Sequence, residues 1–178
     1  MFNFEITESN AVEAFNRLIS LGEDPSGVLM GIGEVATEFT KQRFVESADP
    51  YGTPWEPNAD ATLRNVLHGS QKNFTKKGNV SARGELVLAG KKPLIGDSKT
   101  LSTQFHSTVL GESVSVTSIA VQAAMQHFGG TKAEFPHLWG DIPARSYFPD
   151  PERGLPEELS QDILGVLRIA LQNAVDGS

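Results

Sequence analysis

Residues 104–116 read QFHSTVLGESVSV and carry the clearest strand pattern in the chain. From Phe105 to Val109 every second residue shares one face, the period-two alternation typical of a half-buried β-strand. Gly111-Glu112 then suits a two-residue turn with glycine in first place. The alternation resumes at Val114, so this stretch predicts an antiparallel β-hairpin.

Helical patterns flank the hairpin. Asn10 is predicted to cap a first helix, and Asp24 with Pro25 marks the start of a second. Gly31 and Gly33 lie within the second pattern, where each weakens a helix by roughly 1 kcal/mol relative to alanine. We therefore expect close packing against another backbone at these glycines.

A last helix is predicted from about Pro156 to Val175. Its apolar residues cover more than one stripe, which indicates burial on several sides. In a chain of 178 residues, a neighbouring subunit can supply the second side. This expectation is the first sign of self-association.

The rest of the chain is less regular. Ser118 is predicted to cap a short helix over 119–128, with Gly129 as its left-handed stop. For 64–92 we expect an extended hairpin or flexible loop, with Glu85 to Ala89 as a short strand. Helices, long loops and one small antiparallel sheet together predict an α+β domain over 1–178, with two or three main helices.

Composition excludes several classes of function. The chain has no cysteine, which removes disulfides, thiolate catalysis and cysteine-built metal sites. No apolar run has the roughly 20 residues of a membrane span, and the first residues lack a signal-peptide pattern. We therefore expect a soluble protein that is made on the cytoplasmic side and has no membrane partner.

Charge is unevenly distributed. The total is −7, which disfavours general nucleic-acid binding. The segment 64–99 nevertheless has eight Lys/Arg against two acids, a net +6, which leaves −13 for the remainder. The basic residues are Arg64, Lys72, Lys76, Lys77, Arg83, Lys91, Lys92 and Lys99. This segment can touch DNA or an acidic partner, or it can be a solvated loop.

Motifs for chemistry are missing from the sequence. The four histidines lack the spacing of a helical zinc site, and neither a GxSxG nucleophile elbow nor a phosphate-binding glycine loop occurs. We therefore predict no catalytic residue, no metal site and no cofactor. Catalytic groups can still assemble from distant segments, so an enzyme remains the least favoured alternative.

Four segments resemble the phage Mu-like virion morphogenesis family, in the same order along the chain. They are RF at 43–44 with DPYGTPWEP at 49–57, then KPLI at 92–95, QAAMQHFGG at 122–130 and IPARSYF at 142–148. Departures from the family pattern include Lys99 in place of a glycine and Ser146 in place of a proline. The segment 64–92 resembles an insertion relative to compact members, and we expect it to be flexible.

The resemblance implies a structural protein of the phage neck or tail end. Members of the family act in tail completion and head–tail joining, as rings of identical subunits with a fold like those of neck and tail-terminator proteins. The implied partners are other copies of the chain and other neck, connector or tail-tube proteins. The implied location is the virion, with the host cytoplasm as the place of assembly. A tail-assembly chaperone or binding module outside the virion is the alternative.

Interfaces favour aromatic and arginine anchors. We predict Tyr51, Trp55, Arg145, Tyr147 and Phe148 as interface residues. Each has an intramolecular alternative: Trp55 can fill the core, and Arg145 can satisfy a helix end or a carboxylate. A further set, Lys72, Lys76 and Lys77, can face a ring lumen through which DNA passes.

Overall fold

The computed structural model describes residues 8–96, 98–138 and 140–176. These residues form seven α-helices, one 3₁₀ turn and a two-stranded antiparallel sheet, which confirms a small α+β fold. The 3₁₀ turn is Gln71–Asn73. The helices and strands are α1 (Glu8–Glu23), α2 (Ser26–Glu46), α3 (Asp60–His68), α4 (Ala82–Gly90), α5 (Thr100–Thr103), β1 (Phe105–Leu110), β2 (Ser113–Ser118), α6 (Ala123–Phe128) and α7 (Glu157–Asp176).

The chain divides into two compact units. The terminal unit holds the residues up to 39, residues 106–117 and the residues from 155 onward. The central unit holds residues 40–105 and 118–154. The prediction of a single domain over 1–178 stays a prediction.

The starts of the first two helices had different outcomes. Asn10 was wrong as a cap, because α1 already includes Glu8 and Asn10 lies inside it. The Asp24 carboxylate, by contrast, accepts a hydrogen bond from the Ser26 amide at 3.1 Å, directly before α2. This bond from the amide confirms the predicted cap. The Ser26 side chain first, and its amide second, lower the pKa of Asp24 by hydrogen bonding to the carboxylate.

Gly33 packs tightly, although against side chains and not against a backbone as expected. A Cβ added there would lie 2.7 Å from the Cβ of Ser107 and 2.9 Å from a methyl group of Val114. At Gly31 an added Cβ would lie 3.0 Å from a methyl group of Val166. The two glycines thus leave room for the hairpin and for α7 beside α2.

The hairpin is confirmed. β1 and β2 pair across the two residues Gly111 and Glu112. The φ angle of Gly111 is +61°, the sign that a type II′ turn requires at its first central position.

The expectation for 64–92 was wrong in its secondary structure. Glu85 to Ala89 lies in α4, and the end of α3 and the 3₁₀ turn lie in the preceding residues. The Ser81 hydroxyl caps α4 by accepting from the Gly84 amide at 3.2 Å. A serine cap with a short apolar run starts a helix here, in spite of the surrounding glycines. That the segment is an insertion, or flexible, stays a prediction.

The helix predicted over 119–128 is shorter than expected. The helix starts at Ala123. Ser118 does not cap this helix, and its hydroxyl accepts only a long hydrogen bond of 3.4 Å from the Ala120 amide. The helix ends at Gly129 as predicted, but Gly129 has φ +74° and ψ −174°, which is outside the left-handed helical region.

The last helix lies where it was predicted, and within the chain much of its apolar surface is exposed. Of its residues only Leu159 is fully buried. Leu164, Leu167, Leu171 and Val175 all keep over a third of their surface exposed. Burial of the second side by a neighbouring subunit stays a prediction. Among the described residues, no helix has both the length and the apolar character needed to cross a membrane.

Candidate functional site

Residues 49–57, here called the tryptophan loop, are held in shape by Asp49. Its carboxylate accepts hydrogen bonds from the amides of Tyr51 and Thr53, both at 2.8 Å. Gly52 has a φ of +86°, a conformation that glycine adopts without strain. Aspartate, proline and glycine thus close a tight turn that leads the chain to Trp55.

Trp55 fills the core of the central unit, which is the intramolecular alternative. Its ring meets Phe44 edge-on with centroids 5.3 Å apart, and only 7% of the residue is exposed. The indole Nε1 donates to the Ser146 carbonyl at 2.8 Å. Phe44 also packs on Phe105 and Tyr147, so it is the centre of an aromatic cluster.

Arg145 ties the tryptophan loop to residues 142–148, here called the arginine loop. Its guanidinium donates to the carbonyls of Glu56 and Pro57, each at 2.9 Å. The residue is 6% exposed, and burial lowers the pKa of Arg145 while the nearby Glu56 carboxylate opposes this shift. The partners are backbone carbonyls and not the helix end or carboxylate considered from the sequence.

Tyr147 and His127 complete the cluster. Tyr147 is 1% exposed and its hydroxyl donates to the Ala123 carbonyl at 2.8 Å. Burial raises the pKa of Tyr147 to about 12, so the hydroxyl stays protonated at any physiological pH. The Tyr147 amide donates to Nδ1 of His127 at 3.2 Å, and burial lowers the pKa of His127. A neutral histidine therefore supports the arginine loop.

Tyr51 lies at the edge of this arrangement and is half-buried. Its hydroxyl donates to the Gly154 carbonyl at 2.7 Å and accepts from the Asp150 amide at 2.9 Å. The guanidinium of Arg153 lies 3.5 Å from the ring centroid, and its exposed head is 3.9 Å from the Asp49 carboxylate. Tyr51 and Arg153 thus form a polar, partly accessible surface of the central unit.

The five predicted interface residues therefore have two different surroundings. Trp55, Arg145 and Tyr147 are buried, so their side chains shape the two loops from inside. Tyr51 and Phe148 are half-buried and keep surface for a partner. An interface at these loops stays a prediction, in which the buried three act indirectly.

The predicted lysines Lys72, Lys76 and Lys77 are exposed. Lys72 is in the 3₁₀ turn, and Lys76 and Lys77 are in the tight turn that follows it. They thus lie on one short segment of the central unit.

An apolar surface lies on α7 in the terminal unit. The sequence indicated it, because apolar residues cover more than one stripe of this helix. One side of α7 packs on α1, where Arg17 donates to the Ala174 carbonyl at 2.8 Å near the helix end. A different side is an exposed stripe, which we call the leucine face. Its residues are Leu164, Leu167, Leu171 and Val175.

Sequence reasoning missed two elements of the central unit. Phe44 was seen only as part of an RF pair, although it lies at the centre of the aromatic cluster. Asp49 was noted only as part of the loop sequence, although its carboxylate holds the tryptophan loop in shape. Among the described residues, no group of three or more His, Asp or Glu is placed to hold a metal ion.

A family model for phage virion morphogenesis matches residues 6–172. The chain belongs to the phage virion morphogenesis family. The matched range includes all four segments that carried the resemblance, as well as α3 and α4. Comparison with curated proteins gives no match, and neither does comparison with solved structures.

Membership of the virion morphogenesis family gives the protein a role in building the phage particle. Two of the segments that resemble this family are the tryptophan loop and the arginine loop. In the structure these two loops are joined by Arg145 and by the Trp55–Ser146 hydrogen bond. The two loops that carry part of the family resemblance are thus held together in one core.

Proposed function

We propose that this protein is a structural component of the phage neck or tail end, acting in tail completion and head–tail joining as a ring of identical subunits. Membership of the virion morphogenesis family supports an assembly role. The observation that carries the ring is the leucine face, an apolar surface that the described residues leave exposed.

The leucine face is well suited to a subunit contact. Leu164, Leu167, Leu171 and Val175 recur every three or four residues, so they form one continuous stripe along α7. Their exposed fractions are 49%, 37%, 52% and 46%. Burying a leucine side chain fully stabilises by roughly 1.5–3 kcal/mol, so this stripe can contribute several kcal/mol to association.

Ring closure needs a second, different surface on each subunit, because a head-to-tail contact joins unlike patches. Tyr51 and Phe148 at the edge of the two loops are our candidates for it. Both rings are half-buried, and the buried Trp55 and Arg145 hold the backbone beneath them. A rigid aromatic anchor loses little conformational entropy on binding, which favours such residues at interfaces.

The ring is tested by the mass of the purified protein in solution. Leu171→Asp places a charge on the leucine face and should give monomers by size exclusion with light scattering. Gln161→Asp is the matched control, since it adds the same charge to an exposed position of α7 outside the stripe. The ring would be refuted by a wild-type protein that stays monomeric at high concentration. It would also be refuted by a Leu171→Asp protein that assembles normally.

The place of action is tested by deleting the gene from the parent phage and inspecting particles by negative-stain electron microscopy. Filled heads beside separate tails of normal length are expected for a joining or completion role. Tails of uncontrolled length would instead point to tail termination. Intact infectious particles would refute the structural role, and absence of the protein from purified virions would favour a chaperone.

A further inference from the structure

We propose that the segment 71–81, here called the lysine hairpin, is a binding surface for the phosphate backbone of double-stranded DNA. The proposal goes beyond the assembly role and does not depend on where the subunit sits in the particle. It rests on how this segment is built, on which cations it leaves unpaired and on what surrounds them.

The lysine hairpin has a closed and well-bonded backbone. The Thr75 amide donates to the Asn79 carbonyl at 2.7 Å, and the Gly78 amide donates to the Thr75 carbonyl at 2.9 Å. Gly78 has a φ of +84°, and Phe74 and Val80 pair on either side of the turn. The segment, for which we expected an extended hairpin or a flexible loop, therefore presents its lysines from a defined turn.

The base of the lysine hairpin is anchored on α3 and α4. Asn73 is 3% exposed, and its side-chain amide donates to the Leu67 carbonyl at 2.9 Å. The Ser81 hydroxyl donates to the Lys72 carbonyl at 2.9 Å while it caps α4. An added Cβ at Gly84 would lie 2.4 Å from the Asn73 carbonyl oxygen, which shows how closely the parts fit.

Most of the cations within 64–92, the lysine hairpin and its flanking helices, are free for a ligand. Lys91 and Lys92 are used internally, since each donates to a backbone carbonyl. The other five are exposed and have no ion-pair or hydrogen-bond partner for their charged groups among the described residues. They are Arg64, Lys72, Lys76, Lys77 and Arg83. Glu85 is the single carboxylate within 64–92.

The surroundings favour DNA over an acidic protein. All five residues from Thr75 to Asn79 are exposed and none is apolar. Protein interfaces have an apolar core, whereas phosphate contacts use lysines, hydroxyls, amides and backbone N–H groups. The remainder of the chain carries −13 against +6 in 64–99, so a polyanion is attracted to this segment and repelled elsewhere.

The test is fluorescence anisotropy of a labelled 30-base-pair duplex with the full-length protein, titrated at several salt concentrations between 50 and 200 mM. We expect weak, sequence-independent binding with a Kd of about 10⁻⁴–10⁻⁶ M. If all five free cations each neutralise one phosphate, the slope of log K against log salt is about −4.5, and fewer contacts give a shallower slope. Lys72→Gln, Lys76→Gln and Lys77→Gln together should reduce that slope by about 2 to 3.

Lys132→Gln is the matched control, because Lys132 is an equally exposed lysine of the central unit outside the segment. It should leave the affinity and the salt slope near the wild-type values. No binding at 50 mM salt would overturn the proposal, as would unchanged binding by the triple variant. Equal affinity for poly-glutamate of the same charge would replace DNA by an acidic protein. Assembly of the ring can fail or succeed independently of these outcomes.

Discussion

Gly33→Ala is the most direct perturbation of the packing in the terminal unit. A Cβ at this position would lie 2.7 Å from the Ser107 Cβ and 2.9 Å from its Oγ. The Ser107 Cβ is bonded to the backbone and cannot rotate away, so the strand or the helix must shift. Overpacking of this kind costs about 1–3 kcal/mol.

The same substitution also brings a gain, because alanine is favoured over glycine inside a helix by about 1 kcal/mol. Gly27→Ala measures this gain in the same helix, since nothing lies within 4 Å of its added Cβ. We expect Gly27→Ala to be neutral or more stable by up to about 1 kcal/mol. Gly33→Ala should be less stable than Gly27→Ala by about 1–3 kcal/mol, the cost of overpacking.

Equilibrium urea unfolding by circular dichroism measures both variants, at one protein concentration because association stabilises the folded chain. Thermal melting gives a second reading, with roughly 2–4 °C for each kcal/mol in a protein of this size. Equal stabilities of the two variants would refute the packing of α2 against the hairpin. A difference in the predicted range would confirm it.

Three further predictions concern the central unit. Tyr147→Phe removes the hydroxyl that donates to the Ala123 carbonyl at 2.8 Å, and should destabilise by about 1–3 kcal/mol in urea unfolding; an unchanged midpoint would count against that bond. Arg145→Lys keeps the charge but cannot hold both carbonyls with a planar fork, so the loss should be roughly 1.5–3 kcal/mol by the same measurement, and wild-type stability would contradict the clamp. Burial lowers the pKa of His127 from its usual 6.5, so the unfolded chain takes up its proton first and stability falls as pH falls below 6.5, until the folded pKa is passed. His127→Gln should show a flatter dependence in that window, and identical slopes for the two proteins would show that His127 does not contribute.

Local signals explain which elements were predictable. The hairpin follows from period-two alternation and a glycine turn, both within 13 residues of sequence. The start of α2 follows from the Asp24 cap in the same way. Asn10 shows the limit of this reasoning, because a capping preference of about 1 kcal/mol is easily overridden by the propagation of a helix from preceding residues.

The secondary structure of 64–92 was predicted wrongly, because the contacts that stabilise it join residues that are distant in the sequence. Glycines are poor helix signals when read alone, and the Ser81 cap was overlooked. The close fit of Gly84 against the Asn73 carbonyl joins residues that no periodicity connects. This contact explains why a glycine in α4 is a packing residue, although it reads as a helix breaker.

The aromatic cluster could not be predicted for a similar reason. Phe44, Trp55, Phe105 and Tyr147 come from four separate stretches and meet only in the folded central unit. The resemblance drew attention to Trp55 and Tyr147 as conspicuous residues, but it did not distinguish a core role from an interface role. Both residues are buried within the chain, with exposed fractions of 7% and 1%, and an indirect part in an interface stays a prediction.

A buried arginine that is bonded to carbonyls lowers the stability of a protein, but it can fix the shape of the backbone around it. Desolvating a guanidinium costs several kcal/mol, and hydrophobic side chains of similar size often stabilise a protein more. Arg145 recovers part of that cost through its bonds to Glu56 and Pro57, and it does so by fixing two loops at one spacing. In the ring that we propose, each subunit must fit its neighbours, and fixed loops serve that fit. We therefore infer that the Arg145 clamp serves the contact that we propose at Tyr51 and Phe148, by fixing the two loops that carry them.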